Sequence, residues 1–382
     1  MIEVFSLIWN YVLPFLIVLT VLVFVHEMGH YLAARRCGVQ VEVFSVGFGR
    51  ELCGWTDRAG TRWKLSMIPV GGYVKMFGEM QAYGSDDAGE AGAALTPAEA
   101  AVAFDAKSLP KRAFVVAAGP VANFVFAIVV LSGMFMTVGQ PFTPADIGKV
   151  IAGSAAQRAG FKPGDTIVSI DGESIERFEQ VIRAVQLHPG IPLQIGVRRD
   201  GHVIQLTAVP DVLDRKDRFG NPQRIGRLGI ARTGTDMKLV RYDPATAVWR
   251  ATRETYVLTD SIFSAIWQIV KGTRTAKELG GPIRIAQMSG DVWQTGFISV
   301  LMFATVLSIN LGLINLFPVP MLDGGHLLFY AIEALRGRPL GARAQDVGIR
   351  IGVGMVLALM VFATWNDLVQ LRVVDFIVGL VT

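Results

Sequence analysis

Residues 5–25 carry no charged side chain, and the chain then continues as His26-Glu27-Met28-Gly29-His30. A run of this length satisfies its backbone groups as a helix and is long enough to cross a bilayer. Positions four apart lie on one helix face, so His26 and His30 are placed to grip a single metal ion. Glu27 stands beside them, spaced to act on a water at that metal. Ionisable groups at membrane depth are costly and usually mark function. The combination points to hydrolysis inside a membrane or at its edge.

The rest of the composition agrees with a membrane setting. The chain is 52% hydrophobic, and its 18% of charged residues falls below the roughly 25% of ordinary globular domains. Its mean hydropathy is +0.44. At 382 residues there is room for a membrane part and a soluble domain. A net charge of +4 without basic runs interleaved with aromatics argues against a nucleic-acid partner. Cys37 and Cys53 lack CxxC spacing and are expected as free thiols. Glu3 is the only charge before the first apolar run, and no small-residue cleavage site follows that run. A retained helix, not a removable signal peptide, is therefore expected.

Three more apolar segments follow at 113–137, 298–322 and 351–366. The last is short and ends at Asp367, so four crossings are expected, with three as the alternative. Arg35, Arg36 and Arg50 follow the first span, and Lys107, Lys111 and Arg112 precede the second. Arg336, Arg338, Arg343 and Arg350 lie between the third and fourth. Positive flanks of this kind face the cytoplasm, which puts the metal motif towards that side and the insert 139–296 outside.

That insert changes character. Short β-branched runs at 149–151, 166–170, 193–197 and 203–209 alternate with Gly, Asp and Pro turns, and a helical pattern covers 175–186. A small barrel-like β domain with helices is expected. The run Ala159-Gly-Phe-Lys-Pro-Gly-Asp-Thr-Ile167, followed by Ile170-Asp-Gly172, resembles bacterial PDZ domains, which take extended peptide ends by strand addition. Ala155 and Ala156 stand where Pro is common in that pattern. The charged stretch 211–221 reads as a loop. Residues 242–270 read as amphipathic helices, either near the outer membrane surface or packed on the insert.

A catalytic metal of the kind His26 and His30 suit takes a third protein ligand and keeps one position open. Nothing suitable follows His30, so the third ligand is expected from a distant segment. The best acid in an apolar context is Asp323, in Asn315-Leu-Phe-Pro-Val-Pro-Met-Leu-Asp-Gly-Gly-His326. Pro318 and Pro320 stop the helix, and irregular backbone at membrane depth survives where it lines a cavity or is covered by protein. The topology brings Asp323 to the same side as His26. His326 is the alternative ligand, since imidazole also suits zinc.

His26-Glu27-x-x-His30, together with Asn315-x-x-Pro318-x-Pro320-x-Leu322-Asp323-Gly324, resembles the site-2 protease family of intramembrane zinc metalloproteases. The PDZ-like insert between the second and third spans is similar to the single-PDZ bacterial members. Gly47-Phe-Gly49, Pro69-Val-Gly-Gly-Tyr-Val-Lys75, Ala118-Gly-Pro-x-x-Asn-Phe124 and Gly281-Pro282 look similar to that group too. The resemblance implies one zinc ion held by His26, His30 and Asp323, with Glu27 as the base that takes the proton of the attacking water. It implies that Asn315 steadies an unwound substrate.

Residues 63–67 and 72–76, joined around Pro69 and Gly71, look like a hairpin able to pair with such a strand. Gly71, Gly72 and Tyr73 are its substrate-binding candidates. The implied substrates are single-pass transmembrane proteins in the bacterial inner membrane, such as trimmed anti-sigma factors and signal-peptide remnants. An upstream site-1-type protease would trim them first, and membrane lipid is the other partner. Residues 81–103, rich in Ala, Gly and acids, match nothing in the family and read as a mobile loop.

The expected fold is a polytopic α-helical membrane protein of about four transmembrane helices, with an inserted extracytoplasmic PDZ-like β/α domain. Its parts are 1–137 with the HExxH motif, the PDZ-like domain 138–230, an amphipathic region 231–297 and the C-terminal spans 298–382. The rival is a non-catalytic membrane scaffold that presents a PDZ domain and holds a structural metal. Glu27 discriminates, because a closed structural site needs no base.

Overall fold

A computed structural model describes residues 8–79, 96–216, 222–232, 238–271, 280–338 and 340–370. Among these, four helical stretches are long and apolar enough to cross a membrane: Ile8–Arg36, Leu109–Thr137, Phe297–Asn315 and Arg343–Val369. The chain divides into two compact units. One comprises Met1–Leu131, Arg250–Thr259 and Gly280–Asp367; the other comprises Ser132–Trp249, Asp260–Leu279 and Leu368–Thr382.

In the first unit a π-helical turn, Ile8–Val12, leads into α1 (Leu13–Arg36). Two strands follow, β1 (Val41–Thr56) and β2 (Arg62–Met76). The short helix α2 (Pro97–Val102) starts on a capping box, in which the Thr96 hydroxyl accepts from Glu99 N and the Glu99 carboxylate accepts from Thr96 N. Residues 97–102 are therefore helical where a loop was expected, while 80–95 lie outside the described residues. The long helix α3 (Leu109–Thr137) runs through Pro120.

The β1–β2 pairing differs from the expected hairpin. Residues 63–67 and 72–76 do not pair with each other; both flank β1. Val43, Phe44, Ser45 and Val46 face Lys75, Val74, Tyr73 and Gly72 on one side, and Arg62, Trp63, Lys64 and Leu65 on the other. Cys53, Gly54, Trp55 and Thr56 then close on Leu65, Lys64, Trp63 and Arg62. Each strand bends midway, which lets the first half of β1 sit at the centre. At the bend Gly47 has φ +88°, and a side chain there would meet the Ile68 carbonyl oxygen at 2.7 Å. The arm 72–76 pairs with β1 alone among the described strands, and its Met76 N–H donates to the Glu79 carboxylate at 3.4 Å.

The second unit carries the insert. Its strands are β3 (Gln140–Phe142), β4 (Ile147–Val150), β5 (Thr166–Ile170), β6 (Glu173–Ser174), β7 (Leu193–Arg199) and β8 (His202–Ala208). β9 (Asp211–Lys216), β10 (Pro222–Arg227), β11 (Ile230–Arg232) and β12 (Lys238–Val240) complete it. A four-stranded sheet runs in the order β6-β5-β7-β8, and the pairs β4–β11, β3–β12 and β9–β10 stand beside it. The helices α4 (Ala155–Arg158) and α5 (Phe178–Leu187) accompany these strands. Ile147, Ile167, Val181, Leu193, Ile195 and Val197 belong to one buried hydrophobic core. Each such side chain stabilises the domain by about 1.5–3 kcal/mol relative to exposure.

Asp165 is buried at the edge of this core and takes two hydrogen bonds from Arg199, both at 2.7 Å. Burial alone raises its carboxyl; the bonds from Arg199 and from the Lys162 N–H outweigh that and hold it below the usual carboxylate range. Residues 211–216 were expected in a loop and instead form β9. There Asp214 and Arg224, both exposed, face each other across the strands at 3.3 Å. Residues 217–221 lie outside the described residues.

The remaining helices are α6 (Pro244–Val270), α7 (Pro282–Gln294), α8 (Phe297–Asn315), α9 (Asp323–Arg336) and α10 (Ala342–Gln370). The third apolar helix ends at Asn315, seven residues short of the expected 322, because Pro318 and Pro320 cannot continue it. The fourth is longer than expected. Asp367, which ended the apolar window, is fully buried and accepts backbone N–H groups from Gly281, Ile283 and Arg284 at 2.8, 3.1 and 3.1 Å. Its charge is satisfied by the N-terminus of α7, so the helix carries through it.

Candidate metal centre

His26 and His30 occupy one face of α1, one turn apart, and both are buried. Their rings meet edge to face with centroids 4.8 Å apart and the two Nε2 atoms 3.2 Å apart. Nothing larger than glycine fits opposite them. A β-carbon on Gly119 of α3 would collide with the His30 ring at Nε2, and one on Gly29 would collide with the Ala118 carbonyl oxygen. The two helices therefore cross at the metal motif itself, and the Val115 carbonyl of α3 accepts the His30 Nδ1–H at 2.9 Å.

Asp323 is the first residue of α9 and follows an irregular turn, 316–322. Met321 in that turn has φ +101°, a conformation that side-chain-bearing residues rarely hold. Gly324 permits the fold, since a β-carbon there would strike the carbonyl oxygens of Leu316 and Phe317. The turn delivers Asp323 Oδ2 to 3.1 Å from His26 Nε2 and 3.5 Å from His30 Nε2. Among the described residues these three form the single cluster of such groups with the spacing of a metal site.

The geometry suits an ion. Donors held about 2.0 Å from a tetrahedral metal lie about 3.3 Å apart, and the three edges here are 3.1, 3.2 and 3.5 Å. Asp323 Oδ2 is buried and, although close to both imidazoles, makes no directed hydrogen bond. A buried carboxylate oxygen left facing two imidazole nitrogens is what a cation would satisfy. Burial pushes the Asp323 carboxyl up; the facing imidazoles outweigh this and hold it below the usual range. His326, the alternative ligand, lies one turn further along α9 and outside the cluster. Burial lowers its imidazole below the usual range, and its ring packs edge-on to Phe329.

Glu27 lies next to this triangle, half-buried, and its carboxylate accepts the Val74 backbone N–H of β2. Of the expected substrate-binding residues, Gly72 is packed at Glu27: a β-carbon there would lie 3.2 Å from Glu27 Cγ. Gly71, with φ +100°, faces the Phe48 ring, and Tyr73 stacks on that ring with centroids 6.0 Å apart. Asn315 ends α8, where its amide donates to Leu311 O at 3.0 Å, back onto its own helix.

One polar neighbour was not singled out from sequence. Asn123 of α3 is fully buried with its amide nitrogen 3.0 Å from His26 Nδ1. The signal available was an amide in an apolar helix, inside the stretch Ala118-Gly-Pro-x-x-Asn-Phe124, but its target depends on how α1 and α3 cross.

The sequence profile of peptidase family M50 matches residues 14–359. The chain is 48% identical over 365 residues to "Putative zinc metalloprotease Atu1380" of Agrobacterium fabrum, covering 95% of this chain and 96% of that one. It is 45% identical over 362 residues to "Putative zinc metalloprotease R01501" of Rhizobium meliloti, covering 94% and 96%. It is 37% identical over 388 residues to "Metalloprotease MmpA" of Caulobacter vibrioides, covering 96% and 97%. Part of the chain is also similar to the crystal structure of the PDZ domain of the SdrC-like protein from Listeria monocytogenes. That match has 18% identity and a TM-score of 0.19, over 24% of this chain and 90% of that one. With four membrane-length helices, a metal-type triangle at their HExxH motif and a profile match along most of its length, the chain belongs to peptidase family M50, the site-2 protease family, and is a multi-pass membrane metalloprotease.

Proposed function

We propose that the protein is a zinc endopeptidase that cuts single-pass proteins within or next to their membrane segments. The observation that carries this reading is the placement of His26, His30 and Asp323, with Glu27 beside them, in the unit that holds the first and third membrane-length helices and most of the second. His26 Nε2, His30 Nε2 and Asp323 Oδ2 would hold one zinc ion. When bound, zinc supplies Lewis acidity at the peptide carbonyl and to the attacking water.

The protein's own residues do the rest. Glu27 takes the proton of the attacking water and passes it to the leaving amine. The Val74 N–H aims its carboxylate, so the base belongs to the sheet edge as much as to the helix. A membrane helix hides its peptide bonds in its own hydrogen bonds and must be opened before it can be cut. An opened substrate strand is proposed to run beside 72–76, the arm that pairs with β1 alone among the described strands, and to pass Glu27. Asn315, Gly71, Gly72 and Tyr73 are proposed to steady that strand. Exposed apolar side chains on the helices, among them Val21, Phe24, Val125, Val129 and Phe362, suit lipid as the surrounding medium.

The distribution of Lys and Arg supports a site facing the cytoplasm, with the 138–230 insert on the periplasmic side of a bacterial inner membrane. The insert is proposed as a PDZ-type filter for substrates already trimmed by an upstream site-1-type protease. Trimmed anti-sigma factors and signal-peptide remnants fit this description. The test is to incubate the purified protein in liposomes with a single-pass substrate of short ectodomain, and to locate the cut by mass spectrometry. A cut inside or at the edge of the apolar segment is expected. A cut confined to the soluble flanks would remove the intramembrane reading.

A further inference from the structure

The two imidazoles of the metal triangle are held in different ways. His30 Nδ1 meets a backbone carbonyl, that of Val115, at 2.9 Å, and a carbonyl only accepts. The proton therefore sits on Nδ1, and Nε2 keeps its lone pair for a metal. His26 Nδ1 instead meets the side-chain amide of Asn123, whose nitrogen lies 3.0 Å away. An amide nitrogen only donates. With the amide turned this way, the His26 proton sits on Nε2, directed at the ligand position 3.1 Å from Asp323 Oδ2. The other end of the same amide, Asn123 Oδ1, is buried without a hydrogen-bond partner.

The two ends of an amide have nearly the same shape, so a half-turn about the last side-chain bond exchanges them. After that turn Oδ1 accepts Nδ1–H, and His26 Nε2 presents its lone pair. The residue itself stays fixed. Its backbone carbonyl accepts from Ser308 Oγ of α8 at 2.9 Å, and a side chain at Gly312 would meet Asn123 Cβ at 3.2 Å.

We infer that Asn123 is a positioning residue for the metal centre: its amide sets which nitrogen of His26 carries the proton, and so readies Nε2 as a ligand. His30 is preset by backbone, whereas His26 is set by a side chain that can turn. This rests on the zinc reading above. Groups one shell out from a metal typically change its affinity about 10–100-fold when removed.

The test uses the full-length protein in detergent, with zinc affinity measured by competition with a chelator and folding followed by thermal unfolding. Asn123→Leu, similar in size and without polar atoms, is expected to weaken zinc about 10–100-fold while the protein stays folded. Asn123→Asp, whose carboxylate accepts from Nδ1–H, is expected to restore the affinity of the parent. Asn123→Met replaces Asn123→Leu if the latter does not fold. Parental affinity in a folded Leu or Met variant would overturn the inference. So would an Asp variant that is folded yet as weak as Leu, since Asn123 would then serve only to fill space. If the parent binds no zinc, or if His26→Ala leaves its affinity unchanged, the metal-centre reading fails instead, and the two failures are told apart.

Discussion

Glu27→Gln is expected to lower cleavage of a transmembrane substrate by about 100- to 10,000-fold, the range that a positioned general base contributes, while zinc stays bound. The amide keeps the size of the carboxylate but has no basic oxygen, so it cannot take the proton of the attacking water. None of the triangle distances involves Glu27: they run among His26, His30 and Asp323. The substitution therefore removes the base without touching a donor. Rates are read on reconstituted enzyme, and zinc is measured on the same preparation. Cleavage within a few-fold of the parent would show that Glu27 is not the base. Loss of zinc together with activity would mean that its carboxylate supports the donors.

The second large effect is expected from the donors themselves. His26→Ala, His30→Ala and Asp323→Asn are each expected to lose zinc and activity together, with affinity falling by more than the about 10–100-fold of a change one shell out. Asp323→Asn is the most informative of the three. It keeps the shape of the turn, in which Gly324 and Met321 fix the approach to α8, and removes only the charge that faces two imidazoles. Full zinc occupancy in that variant would move the third ligand to His326, one turn away. Retained zinc in a folded His26→Ala protein would place the ion elsewhere.

The parts of this site that were legible in the sequence are those fixed by local geometry. The pairing of His26 with His30 follows from the four-residue step of a helix, and a helix was dictated by the uncharged run before it. Asp323 stood out because a carboxylate in an apolar setting, just past two prolines, is costly to keep without a partner for its charge. What could not be read depends on how separate elements cross. Asn123 meets His26 only because Gly29 and Gly119 let α1 and α3 come together at that level.

The strands β1 and β2 show the same limit. Residues 63–67 and 72–76 read as two extended arms, but nothing in them says that they belong to one strand whose two halves flank the first half of β1. Charge misled in two places for one reason. Asp367 ended an apolar window and Asp214 sat in a charged stretch, yet each has a partner distant in sequence or across a strand, the N-terminus of α7 and Arg224 respectively.

X-ray absorption at the zinc edge of the purified, full-length protein tests the metal centre most directly. The expected result is one zinc per chain with two imidazole nitrogens and only oxygen besides, the oxygens coming from Asp323 and solvent. A chain without zinc, a sulfur neighbour from Cys37 or Cys53, or a shell with fewer than two imidazoles would contradict it.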